Sequence, residues 1–242
     1  MRAGWIGLCL LAGCSGSEAC VDFTDEVLVV VSLTDDGDGA RVEVALRRAS
    51  EGDDSIPVRL CAGDSLTFDG AALAGVKRPS GAVVYEAEVA SETRTGPVVH
   101  TLRHEGDGAS EFAAEVDAPG FAISAPEADA KLKRAEELAV AWAPPGPAGA
   151  TLTLRVADEI DGEQCLEAPV ELEEADDGEA TVAAGTIVLS PDKSPTATCE
   201  GFVTLSRRAS VALEVTRGGA TLHPDSRMEA TNSRAQPFRS VP

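Results

Sequence analysis

The stretch that decides the fold is residues 27–46, VLVVVSLTDDGDGARVEVAL. Its first five residues, Val27 to Val31, are an unbroken apolar run rich in β-branched side chains, suited to a fully buried strand. Its last six, Arg41 to Leu46, alternate. Val42, Val44 and Leu46 fall on one face, and Arg41, Glu43 and Ala45 on the other, which is the period of two of a half-buried strand. Between them, Asp35-Asp36-Gly37-Asp38-Gly39 has the acidic and glycine residues of a hairpin loop.

The same pattern recurs outward from this hairpin. Val83, Tyr85, Ala87 and Val89 share a face, as do Phe112, Ala114 and Val116. Later come Leu138, Val140 and Trp142, then Leu152, Leu154 and Val156, then Val211, Leu213 and Val215. Turn-forming residues separate these runs at Pro79-Ser80-Gly81, Glu105-Gly106-Asp107-Gly108 and Pro144-Pro145-Gly146-Pro147. Asp129 to Leu138 has a helix-like charge pattern but no apolar face, so it reads as a loop leading into a strand. The chain is therefore expected to be all-β, with two immunoglobulin-like β-sandwich domains in tandem. "Immunoglobulin-like" refers to architecture alone, because Trp142 precedes both nearby cysteines instead of lying between them. Phe121 to Ser124 reads as the last strand of the first sandwich. The expected boundaries are residues 1–13 for a cleaved signal, 14–19 for a short tether, 20–125 for the first sandwich and 126–242 for the second.

The N-terminus carries one basic residue, Arg2, then an uncharged and mostly apolar run to Gly13. A charged tip, a short apolar run and a small-residue cleavage site make a secretory signal, and the run is far below the roughly 20 residues that span a bilayer. Leu11-Ala12-Gly13-Cys14 resembles the lipobox of bacterial lipoproteins. The resemblance implies cleavage before Cys14, a diacylglycerol on its sulfur and acylation of the new N-terminus. Several acyl chains hold a protein stably where one does so only marginally. Ser15, in place of an aspartate, leans by the same resemblance towards the outer membrane. The expected partner is thus the membrane, through lipid at Cys14.

The formal net charge is −21, and removing Arg2 with the signal makes the remainder more acidic still. That argues against nucleic acid and against a basic patch for anionic lipid. Of six cysteines, Cys9 lies in the signal and Cys14 at the lipidation site. Cys20, Cys61, Cys165 and Cys199 remain, an even set in an exported chain, which reads as disulfides. Four cysteines allow three connectivities. Cys20–Cys61 with Cys165–Cys199 is expected, because each pair then falls within one half of the chain. No two lie two to four residues apart, as zinc ligands usually do.

Candidate chemistry is sparse. Gly63-Asp64-Ser65-Leu66 spells the nucleophile block of the GDSL esterases, whose catalytic His follows an Asp by three residues. His223, His100 and His104 have Ala220, Pro97 and Thr101 at that offset, and a serine without a base is a weak nucleophile. His100 and His104 would lie about 13 Å apart on a strand, too far to share one ion, and read as surface or edge histidines. Three acidic runs are possible calcium loops: Asp35, Asp36 and Asp38; Glu51, Asp53 and Asp54; Glu173, Glu174, Asp176 and Asp177. None has the spacing of a calcium-binding hand, and they read as solvated turns. Aromatic residues are 4% of the chain, too few for exposed sugar-binding platforms, and Trp142 reads as core.

More loosely, most of the chain resembles uncharacterised lipoproteins of myxobacteria. The likeness rests on the lipobox, Gly63 to Leu66, Phe121 to Pro126, Leu138 to Trp142, Cys199 to Arg208 and Arg227 to Pro242, and it implies no activity. The expected function is a lipid-anchored envelope protein that binds or supports without catalysis, with no cofactor and no metal site. The alternatives are a hydrolase built on Ser65 and a calcium-stabilised adhesin. Cys14 lies only six residues before Cys20, so the folded body should begin almost at the tether.

Overall fold

A computed structural model describes residues 20–21, 23–48, 56–91, 96–158 and 165–242. The signal, Cys14, the tether and the acidic run Glu51, Asp53 and Asp54 lie outside these residues. The described residues are strands and turns with no helix, so the chain is all-β. The hairpin of residues 27–46 forms as its pattern predicts. Strand β1 (Glu26–Asp35) pairs antiparallel with β2 (Ala40–Arg48), from Val27↔Arg48 to Asp35↔Ala40. The turn satisfies its own amides: Gly37 N donates to Asp35 Oδ1 at 2.8 Å, and Asp38 N and Gly39 N donate to Asp36 Oδ1 at 3.1 Å. Gly37 has φ +96°, a conformation that glycine adopts without a Cβ penalty.

The other principal strands are β3 (Ser65–Phe68), β4 (Val83–Val89), β5 (Val98–Glu105), β6 (Ser110–Val116), β7 (Leu138–Ala143), β8 (Thr151–Asp158), β9 (Val170–Ala175), β10 (Cys199–Ala212) and β11 (Arg227–Val241). One long sheet runs β9-β8-β10-β11-β1-β2-β4, ending at Ala74–Lys77. Two smaller sheets pack on it. One contains β3, β5, β6 and Glu214–Arg217; the other contains Ala122–Ala125, β7 and Glu179–Val182. Each encloses an apolar core against the long sheet. The first core holds Val29, Val31, Val44, Phe68, Leu102 and Phe112, and the second holds Val140, Trp142, Leu154, Val156, Val203 and Leu205. Most of the expected inward rows are thus buried, with Val83, Ala87, Val89 and Val211 half-buried. Both expected disulfides are present, Cys20–Cys61 and Cys165–Cys199.

The cores do not divide the chain at residue 125. Phe121 belongs to the second core, and Ala122–Ala125 bonds to β7, so the segment expected to close the first sandwich instead opens the second. The chain also returns. β10 and β11 pair antiparallel without a break from Cys199↔Ser240 to Ala212↔Arg227. At about 3.3 Å per residue each is about 45–50 Å long, enough to serve both cores. Cys199, Val203, Leu205 and Phe238 lie in the second core, and Met228, Ala230 and Leu213 in the first. Val30 to Asp35 of β1 pairs parallel with Arg227 to Asn232 of β11, which stitches the C-terminal hairpin into the first half. Val215, expected to continue the row of Val211 and Leu213, is exposed, because the strand breaks at Leu213 and restarts at Glu214 against β6.

Where β8, β10 and β11 cross the second core the packing is tight. A Cβ on Gly201 would stand 2.8 Å from the Ala157 carbonyl oxygen and 3.1 Å from the Phe238 ring. Gly201→Ala should therefore cost about 1–3 kcal/mol, read as a lower denaturant midpoint with an unchanged slope. An unchanged midpoint would mean that these strands can part without loss.

Candidate functional site

β3 is bracketed by two aspartates, Asp64 and Asp69, and it pairs antiparallel with β5, on which His100, Leu102 and His104 form the inward row. The two histidines were expected at the surface or an edge. Both are buried, because the row that carries Leu102 inward carries them with it, and each is held by one bracketing aspartate. His104 Nε2 lies 3.2 Å from Asp64 Oδ2, and its ring stands 4.4 Å from that of Phe23. Among the described residues, the buried His104 Nδ1 has no hydrogen-bond partner. His100 Nδ1 lies 2.7 Å from Asp69 Oδ2, and its ring stacks 5.3 Å from Phe68. Asp69, at φ +48°, is fixed by two bonds to one residue: its Oδ1 accepts from Thr101 N at 2.7 Å, and its own amide donates to Thr101 O at 2.9 Å.

The Asp69–His100 end of this sheet borders a cavity of about 390 Å³. Phe68, Leu33, Val89, Val98 and Val116 supply apolar wall, and Ala118, Pro119 and Gly120 bring in the connection between the two cores. Asp35, Asp69, Glu88, His100 and Asn232 supply its polar groups. Asp35 Oδ1 is 2.9 Å from Arg234 Nη1, and Asp35 also accepts from the Ser91 hydroxyl. Asn232 Nδ2 donates to Ala118 O at 2.5 Å. The Asp69 carboxylate can only accept, so His100 Nδ1 carries the hydrogen and Nε2 of the neutral ring is an acceptor.

Chemically this is two-thirds of an acyl-transfer triad, an oriented histidine with its carboxylate. No Ser, Thr, Cys or Lys that could complete it is among the described residues that line the cavity. Ser65 stands at the other end of β3, exposed and opposite Glu105, and makes no hydrogen bond to a histidine among the described residues. The Gly63–Leu66 block is a turn opening a strand, and its aspartate serves His104. Among the described residues, no three His, Cys, Asp or Glu side chains converge to hold a metal ion. The Asp35 and Asp36 carboxylates are instead engaged by turn amides, and Asp35 also by Arg234.

Behind the cavity, the inward row of β10 passes from Leu205 in the second core through Arg207 to Ala209 and Val211 beside the first. Arg207 is 1% exposed. Its Nε and Nη2 grip Asp176 at 2.5 and 2.9 Å, Nη1 donates to Pro119 O and Nη2 donates to Pro144 O at 3.0 Å. Trp142 Nε1 donates to Asp176 Oδ1 at 2.8 Å, and the guanidinium lies 4.8 Å over the Phe121 ring. Asp176 is thus no solvated turn residue. Burial raises its pKa, but the bonds from Arg207 and Trp142 and the guanidinium charge outweigh this and hold it below the usual carboxylate range. Arg207 and Asn232, opposite each other on β10 and β11, give donors to the carbonyls of Pro119 and Ala118, so the buried connection is hydrogen-bonded and the cavity's back wall is fixed. Comparison with protein-family models, with curated proteins and with solved structures finds no match.

Proposed function

We propose that this chain is a lipid-anchored protein of the bacterial cell envelope, built of two immunoglobulin-like β-domains that share one hairpin, and that it works as a non-catalytic binding module. The anchor rests on Leu11-Ala12-Gly13-Cys14, and Ser15 favours the outer membrane. Binding without catalysis rests on the cavity. It has apolar walls, a few convergent polar groups and a position at the junction of two cores, as small-molecule sites commonly do, while its described lining offers no nucleophile to the His100 that Asp69 orients.

The position of the cavity suits such a role. Cys20–Val21 pairs with Arg59–Leu60, and Phe23 packs at the His104 end of β5. The cavity lies at the His100 end, about 13 Å further along the strand. Phe23, near the start of the described chain, therefore packs at the end of β5 remote from the cavity, which supports a lipid at Cys14 that leaves the cavity mouth clear of the bilayer.

Cells fed labelled palmitate should incorporate it into the wild-type chain, and Cys14→Ser should abolish the label and release the protein from membranes. Label retained in Cys14→Ser would overturn the anchor. A panel of p-nitrophenyl esters should show no hydrolysis that Ser65→Ala removes. Activity lost in that variant would replace the binding reading with the hydrolase one.

A further inference from the structure

The polar side chains described around the cavity are mostly acceptors. His100 donates its Nδ1 hydrogen to Asp69, so the neutral ring has only an acceptor, Nε2, left for a ligand. His100 is 5% exposed, it lines the cavity, and among the described residues no hydrogen bond occupies its Nε2. Asn232 gives one amide hydrogen to Ala118 O, which leaves its carbonyl oxygen and its second amide hydrogen. Asp35, Asp69 and Glu88 accept only, and no Lys, Arg, Ser, Thr, Tyr or Trp is among the described lining residues. Arg234 stands behind Asp35 and balances that charge alone. Among the described residues, the side-chain lining therefore presents mainly acceptors and negative charge, with the second Asn232 amide hydrogen as its donor.

We propose that the cavity binds a small primary amine with an apolar body. The inference rests on the binding-module reading above and names its ligand class. An ammonium has three donors and no acceptor, the complement of this lining. It would donate to His100 Nε2, with the Asp69 carboxylate beyond the ring and Glu88 supplying the opposite charge, and its hydrocarbon part would pack on Phe68, Val98 and Val116. A carboxylic acid would meet Asp69 and Glu88 with like charge. A neutral alcohol would gain the apolar contact and one donated bond but no charge pairing. Asp69 contributes most of the selectivity, because it is both the nearest carboxylate to His100 and the group that fixes its tautomer.

The test uses the full chain in detergent and isothermal titration calorimetry with three probes of one shape: phenethylamine, 2-phenylethanol and phenylacetate. Phenethylamine should bind at least tenfold more tightly than 2-phenylethanol, and phenylacetate should not bind. Asp69→Asn, which keeps a residue type tolerant of positive φ, should weaken phenethylamine about tenfold and leave 2-phenylethanol unchanged. Ala71→Leu, which fills the cavity from its wall, should abolish both, with the near-ultraviolet circular dichroism of Trp142 unchanged as a check on folding. Equal affinity for the alcohol, or binding of phenylacetate, with either lost in Ala71→Leu, would overturn the amine class while the cavity remained a binding site. Phenethylamine binding that survives Ala71→Leu would place it elsewhere and overturn the inference. Silence from all three probes would overturn the amine and the binding role of the cavity together, with the palmitate result standing apart.

Discussion

Arg207→Ala should destabilise the fold by about 3–5 kcal/mol, a large share of the 5–15 kcal/mol or so that holds a typical domain together. The reason is asymmetry. The pair is fully enclosed, and its cost of desolvation is met only because every charged atom has a partner: two bonds to Asp176, two to the carbonyls of Pro119 and Pro144, and one from Trp142 to Asp176. Removing the guanidinium leaves a buried carboxylate with the Trp142 bond but no counter-charge, and takes a donor from two carbonyls. Asp176→Ala should cost a similar amount by stranding the arginine. Replacing both, as Arg207→Met with Asp176→Leu, should recover much of the loss, because an apolar pair of like volume needs no partners. Denaturation followed through Trp142 emission measures all three. A double variant no better than either single one would show that the seam needs the bonds to Pro119 and Pro144 more than it needs charge balance.

The same pair sets an acid limit. Asp176 titrates below its ordinary value of 3.8 in the folded chain. A carboxyl depressed by folding contributes stability that is fully present above the unfolded pKa and is lost as pH falls through the folded one. The denaturant midpoint should therefore drop below about pH 4, and Asp176→Asn should lose that part of the slope while being weaker at neutral pH.

Much of the fold was legible in the sequence because period-two alternation reports which face of a strand is buried. It identified the rows of β2, β4, β6, β7 and β8, and the chain halves suggested both disulfides. What alternation cannot report is which core a face is buried in. Leu205 and Val211 lie in one row of one strand, yet they border different cores, and nothing in their spacing says so. The shared hairpin and the transfer of Phe121 to the second core were hidden for that reason. The site was less legible. His100 and His104 flank Leu102 at spacings of two, so the inward row was readable, but polar residue type argued for the surface. Arg207 likewise falls in phase with Val203 and Leu205, and Asp176 sits in an acidic run. Their burial follows from partners 31 residues apart in sequence, which no local pattern encodes. Asp35 and Asp69 reach the cavity from turns of two different sheets, so only the packing of those sheets brings them together.

Replacing Cys165 and Cys199 with alanine should cost about 4 kcal/mol by the loop-entropy relation, since the bridge spans 34 residues. The more telling result is where the loss appears. Cys199 is the first residue of β10, buried in the second core, and the hairpin it starts runs on through Arg207 into the first core. Once residues 1–13 are removed, Trp142 is the sole tryptophan and Tyr85 the sole tyrosine. Each reports on one core, for Trp142 lies in the second and Tyr85 in the first, where its hydroxyl accepts from Leu60 N at 2.6 Å. Two independent sandwiches would let the Trp142 transition fall while that of Tyr85 stayed in place. A hairpin paired without a break across both cores predicts that both transitions move together, with Trp142 followed by emission and the Tyr85 ring by NMR. The Cys20–Cys61 bridge offers the converse experiment, because it closes 41 residues at the far end of the first core. Its removal should lower the Trp142 transition as well, although neither cysteine comes near the second core. Separate transitions in either variant would mean that β10 and β11 can come apart at the Arg207 seam, and that each core then stands alone.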